Sequence, residues 1–389
     1  MTDAQAPEEI APDTKDWTWV LDAPCPECGF VAAAYAVADL PGTIETNAAG
    51  FQRVLAEPGA TVRPDPQTWS PLEYACHVRD VHRLFAERLR LMLGEDDPLF
   101  ANWDQDETAL EQRYHRQDPA VVSDELVAAA ADVAAVYAGV EGDRWQRPGR
   151  RSNGSTFTVE SLGRYHLHDI VHHLWDVGFD AGEVTRASYD ASASAYREGV
   201  AALAERVQEE VERFLTLVPA GARVLEIGSG GGHDARALTA AGLSVRCTDI
   251  SPGFVADLRA HGLSADVVDP VTGDLSDPDR SGAPYDAVWA SACLLHVDRS
   301  ALRGVLSRLH EVTAPGGVLH LSLKEGDGER WSVHGHVAGP RRFVLWREQA
   351  LRDALEGAGW SVVTVERSTG SQGEPWLAVF ASRGSEESR

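Results

Sequence analysis

The sequence predicts two domains, an all-α domain followed by an α/β domain built on a doubly wound parallel sheet. Three observations lead to this fold class. In the first 180 residues, apolar side chains recur with helical spacing in four long segments. Farther along the chain, short apolar runs alternate with helical patterns, which is typical of a parallel sheet covered by helices. The length of 389 residues leaves room for two hydrophobic cores.

Changes in composition along the chain give the domain boundaries. Residues 1–16 are acidic, polar and proline-containing, which predicts a disordered lead-in. The helical pattern extends over residues 17–180 and the alternating pattern over residues 181–383, which leaves residues 384–389 as a tail. We therefore expect a four-helix bundle followed by an α/β domain.

Apolar periodicity predicts the helices of the first domain. The second helix has the clearest start, because Ser70 and Glu73 have the spacing of a capping box. The predicted helices are Val31–Ala56, Ser70–Leu93, Asp118–Gly139 and Val159–Phe179. The polar segment Pro98–Gln117 is predicted to be a long connection that covers an opening of the bundle.

The second domain is predicted to begin with one long helix, Tyr189–Leu217. Apolar, β-branched runs mark the strands that follow it. The predicted strands are Arg223–Gly228, Ser244–Asp249, Ala265–Val268, Ala287–Ser291 and Val318–Lys324, with a final pair at Trp360–Arg367 and Pro375–Ala381. Because the strands before the final pair alternate with helical patterns, we expect them to be parallel.

Charge and composition exclude several classes of function. The formal net charge of −25, without a basic stripe, argues against binding to nucleic acid or to an anionic membrane. No apolar run approaches the roughly 20 residues that span a bilayer, and the acidic N-terminus does not resemble a signal peptide. The five cysteines lack the spacing of a disulfide framework, which favours the reducing cytoplasm. A small molecule is the expected partner.

The turn after the first predicted strand carries an E-x-G-x-G-x-G motif at residues 226–232. Its glycines permit a tight turn in which the backbone approaches a ligand closely. Asp249 ends the second strand about 20 residues later, where a carboxylate accepts hydrogen bonds from a ribose. A dinucleotide motif would require glycine in place of His233, and the leading acidic residue suits a cation rather than a pyrophosphate. The motif therefore predicts a cationic cofactor that contains a nucleoside.

This motif resembles the first motif of the class I S-adenosylmethionine (SAM)-dependent methyltransferases. Two later segments, Tyr285–His296 and Leu309–Leu321, resemble further motifs of that family in the same order. The resemblance implies a Rossmann-like fold, SAM as cofactor and methyl transfer as reaction. The cofactor-binding residues that it implies are Glu226, Gly228, Ser229, Gly230, Gly232, Asp249, Ile250 and Asp269. Asp274 competes with Asp269 for the adenine position, because their loop is strongly acidic.

Methyl transfer is an in-line displacement at a sulfonium, so the protein mainly aligns the reactants in a dry cleft. A general base is needed when the nucleophile arrives protonated, and His296, beyond the fourth strand, is the predicted base. The alternative is a histidine that only packs between loop and helix. Tyr189 and Tyr196 either cover the cofactor or pack within the helices. The loop Leu323–Trp331 either binds a small polar or zwitterionic substrate or is a solvated turn.

Histidines are concentrated in the second and fourth predicted helices of the bundle. His168 and His172 lie one turn apart beside the apolar stripe of the fourth helix, and His77 lies at the inner edge of the second. Three imidazoles from two packed helices can bind a metal ion and leave a position open for water or substrate. Core histidines or a surface cluster are the alternatives. The helical phase places three other histidines away from this interior, namely His82, His166 and His173.

Two segments, Trp69–His77 and His168–His172, resemble the DinB-like superfamily, which includes mycothiol-dependent maleylpyruvate isomerases. The resemblance implies a divalent metal, often zinc, bound by the triad His77, His168 and His172, and a low-molecular-weight thiol as a partner. Three carboxylates are expected to orient the ligands, namely Asp80, Asp169 and Asp176.

Cys25 and Cys28 form a C-x-x-C motif without a second pair nearby. A zinc knuckle would need two more ligands, and a redox pair would require an adjacent βαβ unit. A structural role is therefore favoured, with metal binding or thiol exchange as alternatives. Cys76 precedes a predicted ligand, but its helical phase points outward.

These features predict a SAM-dependent methyltransferase for a small molecule, with a metal-binding domain that presents or processes the substrate. A metal-bound thiol is deprotonated at neutral pH and becomes a ready methyl acceptor, and a histidine-derived acceptor is also compatible. Two alternatives stay open. One is a thiol-dependent isomerase or transferase bundle with a separate methylation step, and the other is a non-catalytic protein that senses SAM and metal.

Overall fold

The fold is given by a computed structural model, in which residues 10, 15–199, 205–280 and 282–384 are described. The predicted lead-in therefore lies mostly, and the predicted tail almost entirely, outside the described residues. The chain divides into two units, one that ends at Asp180 and one that begins at Ala181.

The first unit is helical and includes a small sheet. Its α-helices are α1 (Leu40–Leu55), α2 (Pro71–Gly94), α3 (Gln105–Glu111), α4 (Pro119–Ala138) and α5 (Val159–Asp176). Its strands are β1 (Leu99–Phe100), β2 (Pro148–Arg151) and β3 (Thr156–Thr158). Helices α1 and α2 each pack against both α4 and α5 around one core, which includes Ile44, Phe51, Leu72 and Leu126. The predicted helical bundle is confirmed.

The first helix begins at Leu40, later than predicted. Pro41 lies in its first turn and has no N–H group with which to continue a helical ladder from the preceding residues. The apolar residues upstream instead form short 3-10 turns at Ala32–Ala34 and Val37–Asp39. Another 3-10 turn, Trp17–Leu21, packs against α5 and thereby covers one side of that helix.

The connection between α2 and α4 has more structure than predicted, since it contains β1, α3 and a 3-10 turn at Tyr114–Arg116. The hydroxyl of Tyr114 donates a 2.6 Å hydrogen bond to Asp80, which also forms ion pairs with Arg79 and Arg83. Asp80 therefore bonds to this network and not to a histidine, contrary to expectation. Cys76, predicted to point outward, is fully buried because α2 also packs against α3 and this turn.

The second unit alternates strands with helices. Its helices are α6 (Ala181–Gly199), α7 (Glu205–Leu215), α8 (His233–Ala240), α9 (Pro252–Ala260), α10 (Arg299–Val312) and α11 (Glu348–Gly357). The predicted helix Tyr189–Leu217 corresponds to α6 and α7, and residues 200–204 between them lie outside the described residues. Among the described helices of both units, none combines enough length with enough hydropathy to span a bilayer.

The strands of this unit form a sheet and a separate hairpin. They are β4 (Arg223–Ile227), β5 (Ser244–Asp249), β6 (Ala265–Val267), β7 (Tyr285–Ser291), β8 (Thr313–Lys324), β9 (Glu329–Ser332), β10 (Arg341–Val344), β11 (Trp360–Thr369) and β12 (Pro375–Arg383). The sheet has the order β11-β12-β8-β7-β4-β5-β6, while β9 and β10 pair with each other. The hairpin was not predicted.

The sheet is parallel from β6 to β8, whereas β12 runs antiparallel to both of its neighbours. It is buried on both faces, with Leu225 and Val288 in one core and Val224 and Trp289 in another. The predicted doubly wound, Rossmann-like sheet is confirmed. Because β4 lies between β5 and β7, the strand order reverses there and leaves a crevice at the carboxyl ends of the strands.

Candidate cofactor cleft and metal-binding groups

The glycine turn lies in this crevice, where β4 ends. Gly228 has a φ of +68°, and a Cβ atom there would come within 2.3 Å of the Cβ atom of Cys293. Glycine is required because the loop after β7 passes this close to the backbone. The thiol of Cys293 donates to the carbonyl oxygen of Ile227 at 3.0 Å, which joins the ends of β4 and β7. The last glycine of the motif, Gly232, caps the start of α8.

Asp249, the last residue of β5, lies next to the turn. Its Oδ2 atom accepts a 3.0 Å hydrogen bond from the amide of Gly230, and its Oδ1 atom accepts a 2.8 Å bond from the amide of Ser251. Burial raises the pKa of Asp249 to about 6, although both amides oppose the shift. The neighbouring side chain of Ile250 is 41% exposed. A positioned carboxylate beside an open apolar surface suits the ribose and base of a nucleoside.

Glu226 and Ser229 bond to each other at the end of β4. The Ser229 hydroxyl donates to the carboxylate of Glu226, and the Ser229 amide donates to the carbonyl oxygen of Thr248 at 2.9 Å. Glu226 is fully buried, and burial together with the charge of Asp234 raises its pKa to about 8. A nearby cation would stabilise the charged form of such an acid. The hydroxyl of Ser229 is thus turned toward Glu226.

The two candidate adenine-binding carboxylates bond within their own loop. Asp269 accepts hydrogen bonds from the Val271 amide at 2.8 Å and from the Thr272 hydroxyl at 2.7 Å. Asp274 is exposed and accepts one from the Ser276 amide at 2.9 Å. These contacts do not favour one residue over the other, so the adenine position stays a prediction.

Helix α6 brings two tyrosines to the glycine turn. Tyr196 lies 3.8 Å from the position that a Cβ atom of Gly230 would occupy. The ring centroids of Tyr196 and Tyr189 are 6.1 Å apart. Asp190 fixes this helix, because its Oδ1 atom accepts a 2.5 Å hydrogen bond from the hydroxyl of Ser251, at the start of α9.

His296 lies just after β7, but both of its ring nitrogens have partners. Nδ1 is 2.6 Å from the carbonyl oxygen of Arg342, and Nε2 is 2.9 Å from the hydroxyl of Tyr189. Because a carbonyl only accepts, Nδ1 carries the proton and Nε2 accepts from Tyr189. Desolvation lowers the pKa of His296 to about 4; the Arg342 carbonyl opposes the shift and the charge of Arg341 adds to it. The imidazole is therefore neutral at physiological pH.

Cationic side chains near His296 were not predicted from the sequence. Lys324 ends β8, and Arg341 and Arg342 begin β10. Arg342 is paired with two carboxylates, whereas no ion pair among the described residues involves Arg341. Arg341 is 7% exposed and its guanidinium lies 5.6 Å from the ring of Tyr189. Its Nη2 atom donates to the carbonyl oxygen of His334, whereas its Nε atom is buried without a hydrogen-bond partner. The Arg-Arg pair at residues 341–342 did not reveal Arg341, because the chain carries another such pair at residues 150–151.

Among the described residues of the bundle, the metal-ligating side chains form two groups. In each group, one ligand atom per residue lies within 4.8 Å of the others. The His–Asp group consists of His77, Asp169 and His173. The Cys–His group consists of Cys25, Cys28, His168 and His172. The predicted triad is thus divided, because His168 and His172 lie together but His77 belongs to the other group.

The predicted triad is divided because its two α5 histidines lie on a different face of that helix from the side chains that meet α2. Asp169 and His173 follow His168 and His172 by one residue, which is a turn of about 100° around the helix. The stripe of His168 and His172 faces Trp17, at ring distances of 5.5 and 5.1 Å, and not α2. The apolar stripe alone could not reveal this arrangement, because α5 is covered on more than one side.

The His–Asp group is partly open. Nε2 of His77 is 3.5 Å from Oδ1 of Asp169, and Nε2 of His173 is 3.8 Å from the same atom. His77 is buried, whereas Asp169 and His173 are partly exposed. Desolvation lowers the pKa of His77, and Asp169 offsets this only in part. A neutral imidazole whose nitrogens are buried without hydrogen-bond partners, beside a carboxylate, fits a divalent metal ion.

Two of the histidines expected away from the interior form a buried pair. Nδ1 of His82 is 3.0 Å from Nε2 of His166, and both residues are fully buried. Burial lowers the pKa of His82, and it lowers that of His166 to about 4. The ring of Phe85 stacks on His166 at 4.5 Å, so this pair belongs to the α2–α5 interface.

Comparison with known families agrees with this organisation. Residues 196–365 match the family model of a methyltransferase domain, and residues 53–177 match that of the DinB superfamily. The chain joins a methyltransferase domain to a DinB domain. Both predicted resemblances are confirmed. The DinB match includes the whole His–Asp group but begins after Cys25 and Cys28, so it contains only half of the Cys–His group.

The curated relatives are similar to part of the methyltransferase side. The malonyl-[acyl-carrier protein] O-methyltransferase of Methylococcus capsulatus is 33% identical over 138 residues, which are 35% of this chain and 49% of the relative. The ubiquinone biosynthesis O-methyltransferase of Xanthomonas oryzae pv. oryzae is 37% identical over 107 residues, which are 26% of this chain and 43% of the relative. This chain thus spans less than half the length of either relative.

Solved structures with the methyltransferase fold also align with this chain. The 1,6-didemethyltoxoflavin-N1-methyltransferase of Burkholderia thailandensis aligns over 52% of this chain and 88% of its own, with 21% identity and a TM-score of 0.42.

Proposed function

We propose that the methyltransferase domain transfers a methyl group from SAM to a small molecule that carries an anionic group. One arrangement supports this proposal above all. The carboxylate of Asp249 is fixed beside the glycine turn, and Tyr189 lies between Tyr196, which contacts that turn, and the buried guanidinium of Arg341. The first feature suits a nucleoside and the last suits an anion.

The residues of the cleft fit SAM, which supplies an electrophilic methyl group on a positively charged sulfur. Asp249 is placed to accept hydrogen bonds from the ribose hydroxyls, and the exposed side chain of Ile250 offers an apolar surface to the base. Burial raises the pKa of Glu226, so a cation beside it would be favoured over a pyrophosphate. These residues would bind and orient SAM, and the aromatic rings of α6 would exclude water from the cleft.

The environment of Arg341 supports an anionic acceptor. The charge of Arg341, a residue that is only 7% exposed, is costly to bury unless a negative charge compensates it. The rings of Tyr189 and Phe343 lie 5.6 and 5.4 Å from this guanidinium and give the region apolar walls. A carboxylate on the acceptor would supply the missing charge. Thiol or histidine-derived acceptors that contain a carboxylate meet this requirement.

The function is tested by incubating the protein with methyl-labelled SAM and a metabolite extract that has been separated by anion exchange. We expect labelled product in the anionic fraction, where mass spectrometry identifies the acceptor. Label that appears only among cationic or neutral metabolites would contradict the anionic acceptor. SAM binding by calorimetry with no labelled product in any fraction would favour a sensor without turnover.

Arg341→Met should raise the KM for the acceptor by roughly 10- to 100-fold, because a hydrogen bond to a charged group contributes about 1.5–3 kcal/mol. The Kd for SAM should change little, and steady-state kinetics with varied acceptor measures the effect. Arg352→Met is the matched control, since Arg352 pairs with Glu348 on α11. An unchanged KM would mean that the anionic group does not bind at Arg341.

We further propose that the His–Asp group holds a divalent metal ion that binds or processes a thiol-containing substrate. Its metal would supply the positive charge that keeps a thiol deprotonated. His77, Asp169 and His173 would hold the ion, and Asp176 would orient His173 by accepting a 2.8 Å hydrogen bond from its Nδ1 atom. The rings of Trp69 and Trp103 lie 5.4 and 5.3 Å from His77 and supply apolar walls for a substrate.

His77→Ala should remove one equivalent of metal from the purified protein, because it deletes the most deeply buried ligand of the His–Asp group. Elemental analysis gives the metal content, and calorimetry with SAM should give an unchanged Kd. His261→Ala, at an exposed histidine of the methyltransferase domain, is the control. Equal metal content in wild type and His77→Ala would refute the site.

A further inference from the structure

We propose that the Cys–His group is a structural zinc site, separate from the His–Asp group, that ties the N-terminal segment of the protein to α5. One ligand atom of each of its four residues lies within 4.8 Å of the others. Around tetrahedral zinc, with Zn–S near 2.3 Å and Zn–N near 2.0 Å, neighbouring ligand atoms are about 3.3–3.8 Å apart. The distance of 3.7 Å between Sγ of Cys25 and Nδ1 of His172 lies in that range.

The two cysteines lie in a tight turn that brings both thiols to one place. The amide of Gly29 donates to the carbonyl oxygen of Cys25 at 3.0 Å, and the amide of Cys25 donates to the carbonyl oxygen of Phe30 at 2.9 Å. Gly29 closes this turn with a φ of +73°, a conformation that favours glycine. A C-x-x-C pair in such a turn supplies half of a zinc site, and an H-x-x-x-H pair on a helix supplies the other half.

The two histidines point ligand atoms at this turn. Nε2 of His168 is buried without a hydrogen-bond partner, so it is available as a ligand. Nδ1 of His172 faces Cys25, while its Nε2 atom is 3.4 Å from Oε2 of Glu27 and 3.7 Å from Oδ1 of Asp176. A metal-bound histidine commonly donates its second N–H to a carboxylate, which fixes its tautomer. Glu27, which lies between the two cysteines in the sequence, is close enough to accept this hydrogen bond from His172.

The chemistry of the four ligands indicates which metal ion the Cys–His group would bind. Two thiolates and two imidazoles favour zinc over magnesium or calcium, which prefer oxygen ligands. Binding releases the two thiol protons to solvent, and the thiolate charges then balance Zn²⁺ within a pocket walled by Trp17 and Phe30.

Burial indicates that this site is structural. Cys25, His168 and His172 are 2, 3 and 7% exposed and Cys28 is half-buried, and four protein ligands would complete the tetrahedral coordination of zinc and leave no position for a substrate. The His–Asp group, by contrast, offers only three ligands, two of them partly exposed, and would leave a position open. Zinc in the Cys–His group would therefore fasten residues 17–31 onto α5 rather than take part in a reaction.

The test replaces the bound metal of the full-length protein with Co²⁺. We expect a thiolate-to-cobalt charge-transfer band together with the visible bands of a tetrahedral centre. The double variant Cys25→Ser/Cys28→Ser should lose the charge-transfer band. His168→Gln keeps both thiols but should lose the tetrahedral visible spectrum. Cys76→Ala, at a buried cysteine outside both groups, should leave the spectrum unchanged.

His77→Ala distinguishes this inference from the proposed function. It should leave the charge-transfer band intact even if the His–Asp group proves not to bind metal. As a second measurement, a chelator should accelerate amide hydrogen exchange in residues 17–31 of the wild type but not of the double cysteine variant. Absence of the charge-transfer band, its persistence in the double variant, or a Cys25–Cys28 disulfide in protein purified under reducing conditions would overturn the inference.

Discussion

Asp249→Ala is expected to weaken SAM binding by roughly 100-fold or more. Each hydrogen bond from a ribose hydroxyl to a charged carboxylate contributes about 1.5–3 kcal/mol, and two such bonds would be lost together. The substitution also removes the acceptor for the amides of Gly230 and Ser251, which loosens the glycine turn. Isothermal titration calorimetry with SAM measures the change in Kd.

Two further variants separate ribose binding from loss of structure. Asp249→Asn keeps the size of the side chain and one oxygen acceptor, so its Kd should lie between those of wild type and Asp249→Ala. Asp353→Ala removes an exposed carboxylate on α11 and should bind SAM like the wild type. If Asp249→Ala has the same melting temperature as the wild type and also the same Kd for SAM, the ribose assignment is wrong.

Loss of either member of the Tyr189–His296 pair is expected to slow methyl transfer by roughly 10²- to 10⁴-fold, the usual range for general acid–base catalysis. The acceptor proton would pass to the Tyr189 oxygen as the Tyr189 proton passes to Nε2 of His296. His296 would therefore act through Tyr189, and not directly on the acceptor as the sequence suggested. Because the pKa of His296 is lowered to about 4, the base stays unprotonated at neutral pH, and the rate should fall only as the pH approaches that value.

A double-mutant cycle tests whether the two residues act as a unit. If they do, Tyr189→Phe, His296→Gln and the double variant should lose similar amounts of kcat, because removing one member already disables the other. The Kd for SAM should be retained, and His261→Gln provides an exposed histidine as control. Losses that add in the double variant would contradict the proton relay.

The geometry of the candidate cofactor cleft was predictable because its signals are local. The glycine turn and Asp249 lie within a short stretch of chain, and β5 was predicted with its observed bounds. Most strands of the methyltransferase domain alternate with helices, and the sequence displays that pattern directly. Even there, the partner of His296 was hidden, because Tyr189 reaches it from another helix, 107 residues away.

The metal groups could be found only in part. The spacing of His168 and His172 predicted that the two imidazoles lie together, but not which neighbours they meet. Residues near the N-terminus, Trp17 and Cys25 among them, decide this by covering one stripe of α5. The position of Arg341 near His296 was not predicted for a similar reason. Arg341 lies on the unpredicted hairpin of β9 and β10, and no periodic pattern marks it.

Asp176 contacts both metal groups with a single side chain. Its Oδ1 atom is 3.7 Å from Nε2 of His172, and its Oδ2 atom is 2.8 Å from Nδ1 of His173. An ion at either proposed site would fix the tautomer of its own histidine and so would orient this shared carboxylate. By thermodynamic reciprocity, whatever affinity the second ion gains from that orientation, the first gains equally. If both proposed sites hold ions, their occupancies would therefore be coupled through Asp176.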